Sequence, residues 1–221
     1  MKLKDVKIWV VGNPPPSLGG RYFIFVKLVT DTGVVGYGEA YNATFDPHLT
    51  ARMIEDVAAR YFIGHDPHKI EQFFRSCYSS GFSQRPDITM MGCFSALEMA
   101  CWDIVGKAVD RPVYELMGGL VNPTIRSYTY LYPASDQDPA SFYNDPDASA
   151  ERALKYVEDG FTAVKFDPAG PYTIYDPHQP AVVDLERCEL FCKRIREAVG
   201  SRAALLFGTH GQFTTSGAIR M

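Results

Sequence analysis

Ser95-Ala96-Leu97-Glu98-Met99-Ala100-Cys101-Trp102-Asp103-Ile104-Val105-Gly106-Lys107, continuing through Pro112-Val113-Tyr114-Glu115-Leu116-Met117-Gly118-Gly119, separates two regions of different character. Leu97, Ala100, Cys101, Ile104, Val105 and Ala108 recur at steps of three and four, which gathers them on one helix face. With Asp87 as candidate cap, the spacing predicts a packed helix over 88–108.

Upstream of this helix the period is two. Val6, Ile8 and Val10, then Phe23, Phe25 and an apolar run to Val29, then Val34 to Gly38 after the turn Asp31-Thr32-Gly33 predict a three-stranded antiparallel meander with one buried face. The segment Gly12 to Gly20, rich in proline and glycine, cannot continue a ladder and is expected to be a mobile surface loop. Asp46-Pro47-His48, Asp66-Pro67-His68 and Asp176-Pro177-His178 each set a capping Asp before a Pro, the pattern of a helix start. His65 and His68 straddle one of these starts and read as exposed histidines rather than a metal pair.

Downstream, short apolar strands alternate with helices. Ile125 to Tyr132, Phe161 to Phe166 and Ala203 to Phe207 read as strands. Ala148 to Glu158 and the stripe Leu185, Cys188, Phe191, Cys192, Ile195 and Val199 read as helices, ended by Gly160 and Gly200. Such alternation implies parallel pairing. At roughly 30 residues per βα repeat of an eight-stranded barrel, the residues from Thr124 onward hold about three repeats. Thr215 to Met221 reads as the start of a further helix. The expected organisation is an α+β domain over 1–122, a meander plus helices, followed over 123–221 by the first part of a TIM-type barrel that is truncated, poorly folded and inactive by itself.

The 221 residues are 46% apolar and 13% aromatic, enough for a sizeable core. No run approaches the roughly 18 uninterrupted apolar residues of a membrane span, and Met1 to Val11 lacks a signal-peptide core. A cytoplasmic protein is expected. A net charge of −4 with interspersed signs offers no basic patch for nucleic acid. The five cysteines have no metal-type spacing and four fall in helical apolar patterns, so they read as reduced packing residues.

Three stretches together resemble the mandelate racemase and muconate-lactonising branch of the enolase superfamily. They are Gly36-Tyr37-Gly38-Glu39-Ala40, the Ser95 to Gly119 segment, and Ala163-Val164-Lys165-Phe166-Asp167. The resemblance implies an N-terminal capping domain, a TIM-type barrel, and chemistry that removes the proton next to a carboxylate. Such a carbon acid is very weak, so the developing charge must be met by preplaced cations and donors. Enolase-superfamily sites pair a Lys or His base with one or two Mg²⁺ ions, so Mg²⁺ enters through the resemblance and not from these residues.

Much of that family carries Lys-x-Lys where this chain has Lys165-Phe166-Asp167. Lys165 matches the first lysine, which usually helps to hold the substrate carboxylate, and Asp167 takes the place of the second, which is usually the base. The sugar-acid dehydratases of the branch commonly carry Asp-x-His after the third barrel strand, the Asp a metal ligand and the His an acid for the leaving hydroxyl. His210 matches that His, but Gly208 stands where the Asp is expected, leaving the metal ligands unknown unless Asp167 or a water substitutes. Lys165, Asp167 and His210 are the catalytic candidates. Arg21, Asn42 and Arg85, in segments that match the family's substrate-covering loops, are substrate-binding candidates or plain exposed loop residues.

The resulting expectation is a Mg²⁺-dependent acid-sugar dehydratase, a hydro-lyase that is a homo-oligomer when complete. A sugar-acid cycloisomerase or racemase of the same superfamily is the nearest alternative. A non-catalytic binding protein is the alternative of another class.

Overall fold

The computed structural model describes residues 1–15, 17–41, 46–83, 85–169 and 179–221. They divide into two compact units, Met1–Val121 and Asn122–Met221.

The first unit opens with the antiparallel meander β1 (Leu3–Gly12), β2 (Tyr22–Thr30) and β3 (Val35–Ala40), in that order across the sheet. Its register puts Val10 opposite Ile24, Ile8 opposite Val26 and Val6 opposite Leu28. Ile24, Val26 and Leu28 are therefore the buried residues of β2. Phe23 and Phe25, expected from the sequence on the core side, lie on the other face with ring centroids 6.2 Å apart. Alternation makes the choice binary, and the cross-strand partners decide it. The β1–β2 loop is knitted by Asn13, whose amide donates to the carbonyls of Leu18 and Gly20, and its backbone N–H donates to Arg21. The loop residues described thus have internal ties that the expectation of a mobile loop omitted.

Helix α1 (Pro47–Val57) runs into a π-helical turn, Ala58–Phe62. It is followed by α2 (Ile70–Ser79), α3 (Ile88–Ala108) and the single turn α4 (Val113–Leu116). Asp46 caps α1 as expected, accepting from His48 N–H. Asp66 does not cap α2: its carboxylate takes the backbone and ring N–H groups of His68 in a turn, and the helix begins only at Ile70. Asp176-Pro177-His178 lies outside the described residues. The long helix α3 is capped by Asp87, which accepts from the Thr89 and Met90 amides. By length and apolar composition α3 would suffice to cross a membrane, yet Cys93, Phe94, Ala96, Leu97, Ala100, Cys101 and Ile104 are buried in the first core.

The glycines of Gly36-Tyr37-Gly38 exist for that packing. A Cβ on Gly36 would stand 2.1 Å from the Ala100 carbonyl oxygen, and one on Gly38 would stand 2.0 Å from that of Ala96. Only backbone without side chains lets β3 lie directly on α3. Between the glycines, Tyr37 N–H donates to Asp103, and Lys107 binds both Asp103 and the Val35 carbonyl. Two α3 side chains thereby occupy backbone groups of the outer strand that would otherwise invite another strand.

The second unit contains β4 (Thr129–Tyr130), α5 (Pro139–Phe142), α6 (Pro146–Glu158), β5 (Ala163–Phe166), α7 (Val182–Val199), β6 (Ala204–Phe207) and α8 (Thr215–Arg220). Its strands pair in parallel in the order β4-β5-β6. Such an order, with helices between parallel strands, is the expected opening of a barrel, and the first unit is the expected meander plus helices. The first parallel strand is far shorter than the expected 125–132. Arg126 instead binds Thr162 through its guanidinium, and only Thr129 and Tyr130 pair with β5. Helices α6 and α7 cover the sheet through Ala150, Ala153, Phe191, Ile195 and Val199. All five cysteines are free and lie on helices, Cys77, Cys93, Cys101 and Cys188 buried and Cys192 half buried.

Candidate active site

The C-terminal ends of the three parallel strands converge on one cleft. Gly208 N–H donates to the Phe166 carbonyl and Leu131 N–H to that of Lys165, so the β4 and β6 ends flank the segment Lys165-Phe166-Asp167 on either side. A cleft of about 600 Å³ opens there, lined by Tyr128, Thr129, Tyr130, Tyr132, Lys165, Asp167 and His210. The sequence candidates Lys165, Asp167 and His210 are thus brought together.

Asp167 is the most enclosed of the three, with its side chain 7% exposed. Its Oδ2 accepts a 2.8 Å hydrogen bond from the Tyr130 hydroxyl. His210 Nδ1 stands 3.6 Å from the same oxygen. Oδ1 is buried and has no hydrogen-bond partner among the described residues. That oxygen lies against Gly208, where an added Cβ would come within 1.9 Å of it and within 3.1 Å of Lys165 Cε.

His210 reaches the cleft by a different route from the one strand alternation suggests. Strand β6 ends at Phe207, and His210 sits in the following turn at φ +47°. Left-handed backbone is uncommon outside glycine, and histidine is among the residues that adopt it in turns. Its side chain is 56% exposed, so the imidazole is open to a molecule entering the cleft.

Tyr130 escaped the sequence reading, as did the aromatic wall beside it. Tyr130 lies with ring centroids 5.1 Å from Tyr132 and 6.2 Å from Tyr143. Burial, then the nearby Tyr132 and the Asp167 charge, push the Tyr143 phenol above its ordinary value. The available signal was the alternation Tyr128-Thr129-Tyr130-Leu131-Tyr132 at the end of the first parallel strand.

The remaining candidates belong to the first unit. Arg21 is exposed and lines a cleft with Gly19, Gly20, Tyr22 and Tyr41. Arg85 lines another with Arg60, Asp56 and Asp87; its guanidinium stacks 5.3 Å from the Tyr78 ring centroid and donates to the Tyr78 carbonyl. Asn42 lies outside the described residues. No three His, Cys, Asp or Glu side chains come together as a complete metal site among the described residues. The buried, unpartnered Asp167 Oδ1 is a hard oxygen donor of the kind a Mg²⁺ ion takes, so this span fits such an ion as the source of one ligand.

Parallel strands whose ends gather lysine, aspartate, histidine and tyrosine over one cleft, preceded by a meander-and-helix unit, are arranged as at the start of a barrel-type scaffold. Residues 16–118 match the mandelate racemase/muconate lactonizing enzyme N-terminal domain. A solved structure from Labrenzia alexandrii DFL-11, classed with the mandelate racemase/muconate lactonizing enzymes, is 64% identical at a TM-score of 0.93, covering 100% of this chain and 58% of that one. The D-gluconate dehydratase of Thermoproteus tenax is 32% identical over 90% of this chain and 38% of its own length. The D-gluconate/D-galactonate dehydratase of Picrophilus torridus is 30% identical over 99% and 53%. The chain belongs to the mandelate racemase/muconate-lactonising branch of the enolase superfamily, and its relatives include sugar-acid dehydratases. It spans about half the length of the curated relatives it matches, or less.

Proposed function

We propose that this chain carries part of the active site of a sugar-acid dehydratase, with Lys165 and His210 acting on opposite ends of the reacting segment of the substrate. The observation that supports this most directly is the shared cleft, in which an ammonium, a carboxylate, an imidazole and a phenol meet at parallel strand ends. The dehydratase names of the relatives support the substrate class.

In this reading Lys165 binds the substrate carboxylate and neutralises charge as the adjacent carbon loses its proton. The group that takes that proton is a different one. His210, exposed to the cleft, gives its proton to the β-hydroxyl as the carbon–oxygen bond breaks, so water leaves instead of hydroxide. The resulting enol becomes a 2-keto-3-deoxy acid. Mg²⁺, when bound, supplies fixed positive charge beside the substrate carboxylate, and Asp167 is the residue of this span that would hold it. Arg21, Asn42 and Arg85 are proposed contacts for the distal hydroxyls. A cytoplasmic homo-oligomer without nucleic-acid or membrane partners completes the reading.

Incubating the full-length protein with D-gluconate, D-galactonate and D-xylonate in Mg²⁺, and identifying products by mass and NMR, tests it. Loss of one water with a keto-deoxy product from at least one acid is expected. A ring-rearranged isomer of unchanged mass favours the cycloisomerase alternative, and no turnover of any acid sugar in an extended panel favours the binding protein.

A further inference from the structure

We propose that positions 167 and 208 share a single carboxylate, that Asp167 is thereby the divalent-cation ligand of this part of the site, and that Gly208 and Tyr130 hold it in that role. The proposal rests on the dehydratase reading only for the presence of a cation in the cleft.

The two departures from the family pattern, Asp at 167 and Gly at 208, are one structural event. The Asp167 carboxylate occupies the volume in which any side chain at 208 would begin, since an added Cβ would stand 1.9 Å from Oδ1 and 3.1 Å from Cγ. No ordinary contact is that short, so a side chain at 208 and the Asp167 carboxylate in this rotamer exclude each other, and any side chain at 208 would turn the carboxylate out of its present place. The ladder bond from Gly208 N–H to the Phe166 carbonyl fixes the two backbones at that spacing. A carboxylate delivered from β5 thus fills the place of one delivered from the residue after β6.

The two oxygens of Asp167 have separate fates. Oδ2 is held by the Tyr130 hydroxyl at 2.8 Å, and His210 Nδ1, at 3.6 Å, is beyond hydrogen-bond length. Oδ1 is buried without a partner among the described residues. A carboxylate oxygen removed from water and given no donor is costly, and a native structure that keeps one has an occupant for it. A water would satisfy its lone pairs, whereas a cation would satisfy its lone pairs and its charge together. Mg²⁺ is suited to it, because it is bound through one or two carboxylates while water and substrate oxygens complete the shell. Tyr130 is a positioning residue: by fixing Oδ2 it prevents the carboxylate from rotating.

Binding of Mn²⁺ alone to the full-length protein, followed by the electron paramagnetic resonance of free Mn²⁺, tests the proposal. Asp167→Asn should weaken Mn²⁺ binding about tenfold or more, and Tyr130→Phe should weaken it less, while excess Mg²⁺ should displace Mn²⁺ from the wild type. The exchange Asp167→Gly with Gly208→Asp should restore binding to within about threefold of wild type, because the carboxylate returns to the same volume. In crystals of the wild type soaked in Mn²⁺, the anomalous peak should lie on Asp167, a readout that does not depend on any variant folding. Unchanged Mn²⁺ binding by Asp167→Asn, or a peak held by other side chains and not Asp167, overturns the proposal and leaves the dehydratase reading standing. A ring-isomer product, with binding lost in Asp167→Asn, sinks the dehydratase reading and leaves this assignment intact.

Discussion

The Tyr130 hydroxyl and Asp167 Oδ2 are joined by a 2.8 Å hydrogen bond across the β4–β5 pair. A hydrogen bond to a carboxylate that is almost fully enclosed counts for more than one at the surface, and the phenol is its donor. Tyr130→Phe keeps the ring in its aromatic cluster and removes only the donor. It should cost roughly 1.5–3 kcal/mol in denaturant unfolding. An unchanged unfolding midpoint would mean that the bond is not made in solution.

Gly36 and Gly38 make a sharper structural prediction. Replacing either with Ala drives a methyl into the α3 backbone at about 2 Å, whereas Gly12→Ala meets nothing within 4 Å. The first two changes should each destabilise by about 3 kcal/mol or more, and the third by a few tenths at most. Similar midpoints for all three would contradict the close approach of β3 to α3.

On α7, the Cys188 thiol donates to Cys192 and holds the Cys192 thiol near 7, while Cys188 itself is pushed up. Cys192 should therefore react with iodoacetamide in a transition centred near neutrality. Cys188→Ala should move that transition toward the ordinary value of 9.0. Because the folded pKa of Cys192 lies below its unfolded one and that of Cys188 lies above, the pair favours the fold only between about 7 and the ordinary thiol value of 9.0; the gain is lost as pH falls through about 7, and above 9.0 the proton retained on Cys188 opposes it. Equal alkylation rates for Cys192 and the buried Cys101, whose thiol burial pushes up to about 12, would refute the pairing.

Much of this fold was legible because burial leaves periods in a sequence. The steps of three and four in α3 and the capping Asp87 located the longest helix, and the strand-helix alternation after Thr124 implied parallel pairing. Patterns carried by one element alone failed where a neighbour decided the outcome. Phe23 and Phe25 look like core residues until the register sets Ile24 opposite Val10. The stretch 125–132 looks like a strand until only Thr129 and Tyr130 find partners on β5. Lys165, Asp167 and His210 were legible through likeness to a family. The tie between Asp167 and Gly208 was not, since two residues 41 positions apart in number meet only through the β5–β6 ladder.

Lys165 should matter for turnover far more than for folding. It is half buried at a strand end, with its Cε beside the Gly208 backbone. Lys165→Ala in the full-length protein should lower turnover of a sugar acid by about two orders of magnitude, while shifting stability by about 0.5 kcal/mol or less. Near-native turnover would remove Lys165 from the site.

The most direct measurement concerns His210, because its proposed role is specific to loss of a hydroxyl. Its side chain is open to the cleft, and its backbone is held in a left-handed turn. His210→Asn in the full-length protein should reduce release of the 2-keto-3-deoxy acid by at least about a hundredfold, the lower range for a lost general acid. Exchange of the substrate α-proton with deuterated solvent should survive in that variant, since another group performs the abstraction. Full dehydration by His210→Asn would contradict the account.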